Sequence, residues 1–262
     1  MTALRARDPV AAQQPPRGLV RFLPRRPDQT RTLVCFPWSG AGPSWFGRWA
    51  ADMPHVELLA VVLPGRGGRR AEGLEHRFEV IARQITAALT TYRVTQPIAF
   101  LGHSLGALLA YQVALNLQRQ GIVVDALVAS GSRAPAVPPV VELHKLDDTR
   151  LFEQLQHLGG LVDGQHHGED WRQRFLDRTR ADLTACETFS PRDAAPLSCH
   201  VTTWAGTTDW YAPPAAVRQW AAVSARPVQH QMFDGDHFFI RNLNAEVLLN
   251  TLGWTAPHQD AA

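Results

Sequence analysis

The segment PIAFLGHSLGALLAYQVALNLQRQ, residues 97–120, decides the fold, because it joins a strand pattern to a helix pattern across a serine. Residues 97–102 form an apolar run typical of a buried strand, and residues 105–120 favour a helix. Ser104 stands between two glycines in a G-x-S-x-G arrangement. A strand, a sharp turn and a helix in this order would place the serine hydroxyl at the carboxyl edge of a parallel sheet. On its own the motif is weak, because small residues surround a serine at many tight turns.

Strand and helix patterns alternate along most of the chain outside this segment. The further predicted strands are residues 32–37, 57–65, 125–131, 199–206 and 227–233, and the further predicted helices are 77–92, 213–223 and 238–250. Alternation of this kind predicts an α/β protein whose mostly parallel sheet is covered by helices on both faces.

The alternation fails between Arg133 and Leu197. Helical patterns around 148–158 and 170–189 predict an α-helical insertion here, at about 133–197, lying over the carboxyl edge of the sheet as a lid. Residues 1–28 are rich in Pro, Arg and Gln without periodicity, and predict a mobile tail before a domain spanning 29–262.

Composition excludes several classes of protein. The chain has 262 residues, 45% of them hydrophobic, enough for the core of one large domain, and its net charge of +2 is too small to imply nucleic acid. Prolines interrupt the N-terminal segment, which does not have the apolar core of a signal peptide. No apolar run is long enough to span a membrane. The odd number of cysteines, without C-x-x-C spacing, predicts reduced, packed thiols in a cytosolic protein: Cys35, Cys186 and Cys199.

A serine hydroxyl is a poor nucleophile unless a base removes its proton and a carboxylate orients that base. His237 follows the last predicted strand, and Asp209 follows the strand before it. This order of serine, aspartate and histidine along the chain is typical of the α/β-hydrolase fold. Asp234 and Asp236 compete for the acid role, but a residue so close before a histidine in a turn seldom reaches its Nδ1. Asp209 is therefore preferred.

Acyl transfer by Ser104 would also need backbone N–H groups to bind the oxyanion. The residue after the nucleophile, Leu105, should supply one of them. The second N–H group should come from the loop after the first predicted strand of the domain, FPWSGAGPSW, which is rich in small residues. Ser39 is preferred to Gly40 as its source.

Five segments together resemble the type II thioesterases, the free-standing α/β-hydrolases that serve polyketide and nonribosomal peptide synthetases. They are LVCFPWSGAG (33–42), AVVLPGRGGRR (60–70), LGHSLGALLAY (101–111), RADLTACETF (180–189) and GDHFF (235–239). The resemblance covers about residues 31–250, in order and with matching spacing, and is far more specific than G-x-S-x-G alone.

The resemblance implies hydrolysis of acyl thioesters held on the phosphopantetheine arm of acyl or peptidyl carrier proteins, which clears aberrant or stalled units. It implies that Ser104, Asp209 and His237 are catalytic and that the reaction uses no cofactor or metal. Trp38 stands where the family usually has histidine. This departure puts in doubt only the side-chain contacts near the acyl pocket. The candidate substrate contacts are Trp38, Arg66 and Trp210, which is next to Asp209 in the sequence. The protein is expected to be a cytoplasmic monomer.

The basic loop and the remaining histidines are less informative. The basic loop holding Arg66, Arg69 and Arg70 is either a solvated face or a docking patch for an acidic carrier protein. His157, His166 and His167 near Asp163 lack regular ligand spacing, so a metal site is not favoured, and His103 is expected to be a packing residue. The rival functions are a small-molecule esterase or acyltransferase with the same triad, and a non-catalytic binding protein on this scaffold.

Overall fold

The computed structural model describes residues 14–92, 94, 97–160, 168–191 and 196–255. Seven strands of these residues form one sheet in the order β1-β3-β2-β4-β5-β6-β7, and only β1 runs antiparallel to its neighbour. Their bounds are β1 Leu19–Arg21, β2 Arg31–Phe36, β3 Val56–Val61, β4 Ile98–His103, β5 Ala126–Ser130, β6 His200–Gly206 and β7 Gln229–Phe233. The predicted α/β class with a mostly parallel sheet is confirmed.

Helices cover the sheet between the strands. They are α1 Gly47–Ala50, α2 Phe78–Tyr92, α3 Leu105–Arg119, α4 Asp148–His157, α5 Glu169–Thr188, α6 Pro214–Arg218 and α7 Ala245–Leu252. The last predicted helix, 238–250, is divided: Phe239–Asn242 form a 3-10 turn, and α7 starts later. The reason is the side chain of Asn244, which caps α7 by accepting a hydrogen bond from the Val247 N–H at 3.1 Å.

The predicted boundary of the domain at residue 29 is wrong. β1 pairs with β3, with Leu19 opposite Val61, so residues before 29 belong to the sheet. Arg21 fixes this edge strand by contacting the Glu57 carboxylate at 3.2 Å and donating to the Tyr92 hydroxyl at 2.9 Å. The part of the predicted tail before residue 14 lies outside the described residues.

The central strands are buried on both faces, which explains why their sequences are continuously apolar. Alternate residues of β2 pack into different halves of the core, Val34 towards α2 and α3 and Leu33 towards α1 and α7. β4 lies between β2 and β5, near the middle of the sheet. The loop after β4 therefore starts from a strand that is held by neighbours on both sides.

The insertion between β5 and β6 contains α4 and α5, close to the predicted helices. Ala185 and Cys186, near the end of α5, belong to the same core cluster as α2 and α3, and the Phe189 ring stacks on Phe78 at 3.8 Å between centroids. The C-terminal part of α5 is thus a core element. Within the described residues, no helix is both long and apolar enough to cross a membrane.

Candidate active site

Ser104 occupies a strained turn between β4 and α3. Its φ of 56° and ψ of −121° make it the only non-glycine residue with positive φ in the described part of the chain. A Cβ on Gly102 would lie 2.3 Å from the Gly106 carbonyl oxygen, and one on Gly106 would lie 2.1 Å from the Phe36 carbonyl oxygen. Both glycines therefore permit the close approach of strand and helix that the motif predicts.

His237 and Asp209 lie in the loops that follow β7 and β6. Nδ1 of His237 is 2.8 Å from Oδ2 of Asp209, and both side chains are buried. The other carboxylate oxygen, Oδ1, accepts hydrogen bonds from the backbone N–H groups of Tyr211 at 3.0 Å and Ala212 at 2.9 Å. With both oxygens engaged, the carboxylate is held in one orientation towards the imidazole.

The competing acids point elsewhere. Asp234 and Asp236 are both exposed, and Oδ1 of Asp236 accepts a hydrogen bond from the Phe238 N–H at 2.8 Å, within its own turn. The preference for Asp209 as the partner of His237 agrees with this geometry, while the catalytic role of the pair stays a prediction.

His103 packs beside the candidate base, as expected. Its ring is 5.1 Å from that of His237 and 5.6 Å from that of Trp38, and its Nδ1 lies 2.9 Å from the Ser130 hydroxyl oxygen. Burial holds the pKa of His103 well below its ordinary value, and the charges of His237 and Arg241 lower it further. His103 is thus kept neutral next to Ser104.

The loop after β2 supplies the candidate oxyanion donor. The Gly40 N–H already donates to Oδ2 of Asp182 at 2.7 Å, and the Ala41 N–H donates to the Trp38 carbonyl at 3.1 Å. These engagements narrow the predicted donor in this loop to Ser39. Leu105 begins α3, where the first N–H groups of a helix have no partner within it.

The sequence matches known proteins along most of the chain. Residues 31–253 match the thioesterase domain family. Thioesterase PikA5 of Streptomyces venezuelae is 34% identical over 224 residues, which cover 85% of this chain and 79% of PikA5. The chain belongs to the thioesterase family. It is a thioester hydrolase with the α/β-hydrolase fold, and its resemblance to the type II thioesterases is confirmed.

RedJ and BorB are among the solved structures that are similar to this thioesterase. The RedJ thioesterase from the prodiginine biosynthetic pathway in Streptomyces coelicolor is 37% identical, with a TM-score of 0.80 over 86% of this chain and 89% of RedJ. The type II thioesterase BorB from the borrelidin biosynthetic cluster is 29% identical, with a TM-score of 0.75 over 90% of this chain and 93% of BorB.

A small pocket of the thioesterase lies beside Ser104. It lies between the loop after β5, the insertion and the loop after β6, and it is lined by Ser104, Gly131, Ser132, Arg133, Pro139, Cys186, Tyr211 and Ala212. The candidate nucleophile forms part of its wall, so a bound acyl group would start here, and the empty volume of about 260 Å³ is below that of typical ligand pockets.

The two tryptophans predicted to contact substrate differ in exposure. Trp38 is 7% exposed and packs edge-on against His103 and Phe238, the neighbours in sequence of Ser104 and His237. It therefore braces two loops of the thioesterase site against each other. Trp210 is half-buried, 5.7 Å from the His157 ring. Contact of either with substrate stays a prediction.

Both interpretations of the basic loop, a solvated face and a docking patch, are wrong for Arg66 and Arg69. Both are buried: Arg66 pairs with both carboxylate oxygens of Asp182, and Arg69 pairs with Glu72. Buried guanidinium groups cannot meet a carrier protein without leaving their partners. Only Arg70 of the three is exposed.

The insertion of the thioesterase brings a second buried acid to the site, Glu187, to which the sequence assigned no role. Oε1 of Glu187 accepts a hydrogen bond from the Tyr211 hydroxyl at 2.9 Å, and the Tyr211 ring lies 5.2 Å from that of His237. Burial raises the pKa of the Tyr211 hydroxyl well above its ordinary value, so it remains a donor. An acid inside an apolar helical face, as in LTACE, is the signal that could have identified it.

The histidines of the insertion are only partly described. His157 packs on Trp210, whereas His166, His167 and Asp163 lie outside the described residues. Among the residues that are described, no group of three His, Cys, Asp or Glu side chains could hold a metal ion. All three cysteines are free and buried, as predicted.

Proposed function

We propose that this chain is an editing thioesterase that hydrolyses acyl groups from the phosphopantetheine arms of carrier proteins in polyketide or nonribosomal peptide biosynthesis. Membership of the thioesterase family supports the reaction, and the similarity to RedJ and BorB supports the setting. The hydrogen bond between His237 and Asp209, together with the strained backbone of Ser104, is the observation that supports the mechanism.

In the acylation step, the Ser104 oxygen bonds to the thioester carbonyl carbon while its proton moves to Nε2 of His237. The carbonyl electron pair moves onto oxygen, and the amides of Ser39 and Leu105 bind this oxyanion. When the C=O bond re-forms, the C–S bond breaks, and the sulfur takes the proton from Nε2. The arm then leaves as a free thiol and the acyl group stays on Ser104.

In the deacylation step, a water molecule attacks the acyl-Ser104 carbon and gives its proton to His237. The second oxyanion collapses, the C–O bond to Ser104 breaks, and the proton returns to the serine oxygen. The acyl group leaves as a carboxylic acid. Throughout, Asp209 holds Nδ1–H of His237, which keeps Nε2 free to accept and return the proton.

Carrier proteins would approach the insertion, residues 133–197, rather than the basic loop. The insertion contacts both active-site loops, through Asp182 to Gly40 and through Glu187 to Tyr211. A carrier protein seated on it could deliver its arm to Ser104, and these remote contacts would supply binding energy that free pantetheine thioesters lack.

The proposal is tested by mass spectrometry of a panel of carrier proteins loaded with different acyl groups. Wild-type protein should convert them to the free-thiol form, whereas Ser104→Ala should leave them acylated. Free acyl-pantetheine thioesters and p-nitrophenyl esters are run in parallel. Rapid turnover of the small esters with untouched carrier proteins would instead identify a small-molecule esterase.

A further inference from the structure

We propose that Asp182, on α5, is a positioning residue that holds the Ser39 amide in place to bind the oxyanion. This inference rests on the proposed serine mechanism and adds to it a residue that touches neither the substrate nor the reacting atoms. It links the insertion directly to the chemistry.

The Asp182 carboxylate holds two points of the loop after β2. Its Oδ2 accepts a hydrogen bond from the Gly40 N–H at 2.7 Å and from Nη1 of Arg66 at 2.6 Å, and its Oδ1 accepts from Nη2 of Arg66 at 2.7 Å. Nη1 of Arg66 also donates to the Ala41 carbonyl at 2.9 Å. Asp182 is 1% exposed and Arg66 4% exposed, so water does not compete for these bonds.

The direction of the Ser39 amide follows from this clamp. The N–H of Ser39 and the carbonyl of Trp38 share one trans peptide plane and point in opposite directions. That carbonyl accepts a hydrogen bond from the Ala41 N–H, closing a tight turn across residues 38–41. Because Asp182 and Arg66 hold Gly40 and Ala41, they fix the turn and with it the peptide plane that carries the Ser39 N–H.

The loop after β2 and α5 are also in close steric contact. Gly40 has a φ of 79°, and a Cβ at this position would lie 2.4 Å from Oγ1 of Thr179 and 3.5 Å from the Phe175 ring. Phe175, Thr179 and Asp182 are spaced four and three residues apart, so they lie on one face of α5. This face is seated on the turn.

Charge balance explains why Asp182 is paired. An isolated carboxylate beside the oxyanion loop would repel the negative charge that develops there in the transition state. Arg66 neutralises it through a two-point contact, and Arg178 is near enough to interact electrostatically with both groups. The clamp therefore orients the loop without opposing the oxyanion.

The test compares Asp182→Asn with Glu57→Gln, a buried acid with arginine partners at the far edge of the sheet. For Asp182→Asn we expect kcat on an acyl thioester to fall about 10- to 100-fold, less than the loss of a whole oxyanion donor, with KM within about twofold of wild type. Affinity for a trifluoromethyl ketone, whose serine adduct places an oxyanion in the same hole, should fall by a similar factor.

Glu57→Gln should lower the melting temperature while leaving kcat and ketone affinity unchanged. If Asp182→Asn loses only stability, as this control does, Asp182 is a structural residue and the inference is overturned. If Asp182→Asn does not fold, Arg66→Lys decides the question, since lysine keeps the charge but cannot make the two-point contact. It should lower kcat and ketone affinity together.

Failure of the proposed function would give a different set of results. If wild-type protein neither hydrolyses thioesters nor reacts with a fluorophosphonate at Ser104, the proposed function fails. If the wild type does both and Asp182→Asn matches it in kcat and ketone affinity, only the positioning role of Asp182 fails.

Discussion

His237 and Asp209 meet at 2.8 Å, although they are 28 residues apart and leave the sheet from different strands. The distance is set by the parallel pairing of β6 and β7, whose carboxyl ends lie side by side. Asp209 is further tied to its own loop by the N–H groups of Tyr211 and Ala212. The acid thus reaches the base already oriented.

We expect Asp209→Asn to lower kcat by about 10⁴-fold, because an amide in this position favours the wrong tautomer of His237. Asp234→Asn and Asp236→Asn should cost far less, since both carboxylates are exposed. Steady-state hydrolysis of an acyl thioester by the three variants measures the difference. A larger loss for Asp236→Asn than for Asp209→Asn would contradict the assignment of the acid.

Ser104 should be a site where function and stability conflict. Its φ of 56° and ψ of −121° are favourable only for glycine. Ser104→Gly should therefore be more stable than Ser104→Ala by about 1 kcal/mol in chemical denaturation, and both should be inactive. Equal stability of the two variants would mean that the turn is not strained.

The sequence is most informative where residues with reactive side chains stand directly after predicted strands. A glycine-flanked serine between a strand and a helix, with an acid and a histidine after later strands, predicts both the sheet and the residues at its edge. Each of those residues lies directly after a strand, and hydrophobic patterns indicate which segments are strands.

Pairing across the chain could not be predicted in the same way. β1 has three residues, and its pairing depends on contacts of Arg21 with Glu57 and Tyr92, far away in sequence. The buried pair of Arg66 and Asp182 spans 116 residues, and arginine is otherwise expected at the surface. Single-sequence patterns carry no signal for such partners.

The burial of Arg69 changes what its removal should do. Arg69→Ala should lower the free energy of unfolding by about 2 kcal/mol, because the guanidinium bonds to Glu72, Gln84 and the Val62 carbonyl are lost. Arg70→Ala, at an exposed neighbour, should change it by less than about 0.5 kcal/mol. Urea denaturation measures both. An Arg69→Ala protein of normal stability but raised KM for acyl-carrier proteins would restore the docking interpretation.

The three thiols should be inert in the folded protein. Burial raises the pKa of Cys186 to about 12 and of Cys199 to about 11, and raises that of Cys35 well above its ordinary value. At pH 8 the reactive thiolate is therefore scarce, and access is blocked as well. Iodoacetamide should modify none of them before unfolding and all three in denaturant, as counted by intact-mass spectrometry. Rapid modification of Cys186 in the native state would show that the pocket beside Ser104 opens to solvent.

The seating of α3 against β4 should be the feature least tolerant of change. A Cβ on Gly102 would meet the Gly106 carbonyl oxygen at 2.3 Å and the Ala107 Cα at 2.5 Å. Both are backbone atoms, which cannot rotate away, so Gly102→Ala should cost about 3 kcal/mol or more. Gly73→Ala is the matched control, because nothing lies within 4 Å of its added methyl group, and it should change stability by less than about 0.5 kcal/mol. Thermal and urea unfolding of the two variants compare the costs directly. Similar stability for both would mean that α3 does not pack on the end of β4 as closely as these distances require.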